Sequence, residues 1–69
     1  MEELKLTAKE RVEIELKELD EKLTKLDSFV GTEMFKKLSE QQKRLLQIQA
    51  CAMATYSNIL VTRLELWED

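Results

Sequence analysis

The chain has 69 residues, no histidine, one cysteine and a net charge of -3. So short a chain supports one domain at most, buries little apolar surface, and depends on disulfides, metal or oligomerisation for stability. A single thiol excludes an intrachain disulfide, the lack of histidine argues against a structural zinc site and a catalytic Ser-His-Asp arrangement, and the acidic balance argues against duplex DNA. Oligomerisation is the remedy left. The start, "MEELKLTAKE", lacks the apolar core of a signal peptide, and no run approaches a membrane span. The expected setting is the cytoplasm, with no membrane partner and no cofactor.

The first predicted helix covers about 8–29. Thr7 and Glu10 have capping-box spacing. Val12, Leu16, Leu19, Leu23, Leu26 and Val30 alternate steps of four and three, the mark of a narrow heptad seam. Ile14 falls off that seam. Glu13 with Lys17, Glu18 with Lys22, and Glu21 with Lys25 stand four apart in the favourable order. Such a charge run is ordinarily a solvated face.

Gly31 is the only glycine and there is no proline, so the chain divides near it, with Gly31 expected at positive φ. Thr32 caps a short helical corner at 32–38 that holds Met34, Phe35 and Leu38. Ser39 and Gln42 form a second capping-box pair ahead of a long helix at about 40–67. At 1.5 Å per residue the long helix spans about 42 Å and the first about 30 Å, so the long one overhangs.

The long helix is too apolar for a simple hairpin. Leu45, Leu46, Ile48, Ala52, Met53, Ile59, Leu60, Leu64, Leu66 and Trp67 cover roughly 160° of its wheel, whereas one partner needs little more than about 100°. The reverse side carries Ala50, Ala54, Ser57 and Val61, small enough for another helix to approach closely. The expected fold class is therefore all-α: a two-helix antiparallel hairpin with a short helical corner, assembled into a homo-oligomeric bundle around the long helices.

Gln49, Tyr56 and Arg63 stand seven apart near the middle of that apolar arc. A buried guanidinium needs an anionic or carbonyl partner. Three readings stay open: an intersubunit pair with Glu13, Glu15 or Asp20, an Arg63 that reaches water past the shorter helix, or an anion cleft between subunits. In that cleft Arg63 meets phosphate, Tyr56 stacks and Gln49 hydrogen-bonds. Lys36, Lys37, Lys43 and Arg44 near the corner form either a solvated basic rim or a phosphate-facing edge, which Glu33 and Glu40 weaken. Cys51, between Ala50 and Ala52, reads as a packed inert thiol.

Three stretches carry a resemblance: "ELKELDEKLTKLDSF" (Glu15 to Phe29), the corner from Phe35 to Leu46, and Gln49, Met53, Tyr56, Leu60 and Arg63 on the long helix. Together they resemble a family of very small bacteriophage proteins first named from crAss-like phage, over Arg11 to Leu64. The hairpin is also similar in size and architecture to phage anti-CBASS and anti-Thoeris sponges. That resemblance implies a non-catalytic oligomer that sequesters a cyclic nucleotide or ADP-ribose-type signal at subunit interfaces, in the infected host cytoplasm. Arg63, Tyr56 and Gln49 would bind it, with Lys36, Lys37 and Arg44 at the entrance. The rival classes are an oligomeric helical adaptor for a host or phage protein, and a small all-α enzyme with an arginine-lined site.

Overall fold

The computed structural model describes residues 6–68, so the expectation drawn from the first five residues lies outside it. The elements described are all helical: α1 (Ala8–Val30), α2 (Glu33–Lys36) and α3 (Glu40–Glu65). None of the described helices is long and apolar enough to cross a membrane.

Each helix begins at a side-chain oxygen. Thr7 accepts from the backbone N–H of Glu10 at 3.1 Å, and the Glu10 carboxylate accepts from the backbone N–H of Thr7 at 2.9 Å. Both halves of the predicted capping box are thus made. The Thr7 backbone N–H, and after it the Thr7 hydroxyl, hold the Glu10 carboxyl below its ordinary value. Ser39 caps α3 by accepting from Gln42 N–H at 3.1 Å, which forms the hydroxyl half of the second box.

The seam of α1 is as expected: Val12 is buried, and Leu16, Leu19, Leu23, Leu26 and Val30 are half-buried. Ile14 is exposed. The ion pairs formed among the described residues are Lys36–Glu33 at 3.3 Å and Lys43–Glu40 at 3.4 Å, both at spacing three. The Glu–Lys pairs expected along α1 are not closed, as suits long side chains held apart by water at little cost.

Gly31 corrects an expectation. Its φ is -86°, so the end of α1 uses no left-handed residue. Bonds from Gly31 N–H to the Ser28 carbonyl (3.2 Å) and from Thr32 N–H to the Phe29 carbonyl (2.9 Å) close the last turn instead. Thr32 then works in both directions. Its hydroxyl donates to the Phe29 carbonyl at 2.6 Å and accepts from Phe35 N–H at 3.3 Å. The corner is pinned by Phe35, which is buried and meets Phe29 edge-on, ring centres 6.0 Å apart and planes at 88°.

Helices α1 and α3 pack on each other. The side of α3 turned inward is Leu46, Ala50, Met53, Ser57, Leu60 and Leu64, and Leu60 has no exposed surface. Across the contact the Ser57 hydroxyl donates to an Asp20 carboxylate oxygen at 2.7 Å. The small residues Ala50, Ala54 and Ser57, expected to admit a further helix, thus belong to the side that packs within the chain. Of the described hydrophobic residues only Val12, Phe35 and Leu60 are buried. The radius of gyration is 16.0 Å, against about 11 Å for a compact globule of this length. The long helix ends at Glu65, short of the expected 67, where Leu66 N–H reaches the Thr62 carbonyl and Trp67 N–H the Leu64 carbonyl.

Two outcomes follow from this packing. Leu60→Ala should cost about 2–5 kcal/mol in chemical denaturation, since it empties the most enclosed site. The Glu10 carboxyl should titrate below its ordinary value by NMR and move back toward it in Thr7→Ala. Its folded-state pKa is the lower one, so its stabilising contribution is present above the unfolded carboxylate range. That contribution disappears as pH falls through the folded value.

Candidate functional site

The inward row accounts for only half of the apolar arc of α3. The other half, Leu45, Ile48, Ile59 and Leu66, is 58, 56, 50 and 72% exposed. Ala52 lies between them and is also exposed. The Thr55 hydroxyl is turned back onto the Cys51 carbonyl at 3.0 Å, which satisfies it within the helix. From Leu45 to Thr62 there is no Asp, Glu, Lys or Arg on any side of the helix. An exposed apolar stripe of this kind makes this side of α3 a candidate interaction surface.

Gln49, Tyr56 and Arg63 are all exposed. On a wheel of about 100° per residue they form a polar edge between the inward row and the outer stripe. They keep their place near the middle of the apolar arc, which is where its covered half meets its uncovered half. Arg63 is not buried, and no described carboxylate lies within ion-pair distance of it. Asp20, one of its expected partners, is engaged by Ser57. The Gln49 amide makes one weak contact, to Met53 Sδ at 3.9 Å. Neighbouring side chains that spacing alone did not single out, Thr55, Asn58, Ile59, Thr62 and Leu66, line a shallow furrow with Arg63. Their signal was positional, because residues three and four apart on a helix are neighbours.

One chain does not bring the candidate residues together. Two helical turns, about 10 Å, separate Gln49 from Tyr56 and Tyr56 from Arg63. Arg44 lies about 28 Å along α3 from Arg63, in a separate furrow with Gln41, Gln42 and Leu45. Lys36 and Lys37 sit at the corner, and Lys36 is paired with Glu33. Cys51 is exposed, not packed. Among the described residues no cluster of three His, Cys, Asp or Glu could hold a metal ion.

A sequence profile of the family described as Sequestin matches residues 6–66, which takes in the whole of α1, α2 and α3. The chain belongs to the Sequestin family. No curated protein and no solved structure matches it. The profile spans both the α1 seam and the outer stripe of α3, so the Sequestin match covers every candidate residue named above.

Because Arg63 has no partner within the described chain, replacing it should leave folding intact. Arg63→Gln should change unfolding free energy by no more than about 0.5 kcal/mol in a denaturant titration. A larger loss would mean that the guanidinium is a structural group.

Proposed function

We propose that this protein is a phage-encoded, non-catalytic sponge. Its unit is an antiparallel helical hairpin, and copies of it assemble into a homo-oligomer in the host cytoplasm. A cyclic nucleotide or ADP-ribose-type signal is held at the subunit interfaces without being changed. Arg63 neutralises a phosphate, Tyr56 stacks on a base, and Gln49 hydrogen-bonds to a polar edge. Lys36, Lys37 and Arg44 carry positive charge to the rim of the assembly.

The observation that carries this reading is the edge itself. A guanidinium without a carboxylate partner, a phenol and an amide border an uncovered apolar stripe on one helix. Arginine suits phosphate because its planar fork donates bidentately, and a tyrosine face stacks on any base. The family name, which denotes sequestration, agrees with retention rather than turnover.

The exposed stripe also favours a second reading, an oligomeric helical adaptor that docks a host or phage protein. The two part on one measurement. Isothermal titration against cyclic dinucleotides, cyclic trinucleotides and cyclic ADP-ribose isomers should give saturable heat for at least one ligand, recovered unchanged afterwards. Arg63→Ala should weaken that binding by roughly tenfold or more, the worth of one charge-assisted hydrogen-bonded contact. Flat heats from the folded protein across the panel would overturn the sponge and leave the adaptor.

A further inference from the structure

We draw no further inference here: the strongest candidate, the exposed apolar stripe of α3 through Leu45, Ile48, Ile59 and Leu66 with the shallow Arg63 furrow beside it, carries nothing beyond the site already described, because nothing in the structure shows what covers that face.

Discussion

The structure turns on α3 having two apolar sides and one partner. A helix that packs on a single neighbour spends a stripe of about 100° on it. Here α1 takes the row through Leu46, Met53 and Leu60, while Ile48, Ile59 and Leu66 remain on the surface. With only Val12, Phe35 and Leu60 buried among the described residues, their enclosed core is small against the conformational entropy that so short a chain must offset. In the proposed assembly the uncovered stripe would supply the missing part of that core. Its lack of any charge between Leu45 and Thr62 distinguishes it from α1, whose outer surface is dense in Glu and Lys.

Much of the local architecture was legible because its causes are local. Thr7, Thr32 and Ser39 sit where orphan N–H groups need acceptors, and each of them caps a helix. The heptad steps of α1 named the residues that turn toward α3. Gly31 was misjudged because glycine permits positive φ without requiring it. The end of α1 closes through Ser28 and Phe29 carbonyls, and Thr32 takes over at once as the next cap.

The orientation of α3 was less legible for a different reason. Both of its sides obey a seven-residue repeat, so the wheel shows a broad apolar arc without saying which half α1 takes. The packing follows Ala50, Ala54 and Ser57, whose short side chains allow close approach and let Ser57 reach Asp20. That choice leaves Gln49, Tyr56 and Arg63 at the boundary between the covered and uncovered halves. The triad was visible from spacing; its position at an edge was not. Arg63 reads differently as a result. It is an exposed charge beside an open apolar surface rather than a buried group that must be neutralised within the fold.

Sedimentation equilibrium of the full chain, compared with Ile59→Arg, addresses the central claim most directly. The account predicts a mass above that of one chain for the parent protein and a shift toward the monomer for the variant, since a guanidinium replaces the middle of the stripe. A parent protein that stays folded and monomeric at concentrations where the variant does the same would contradict it.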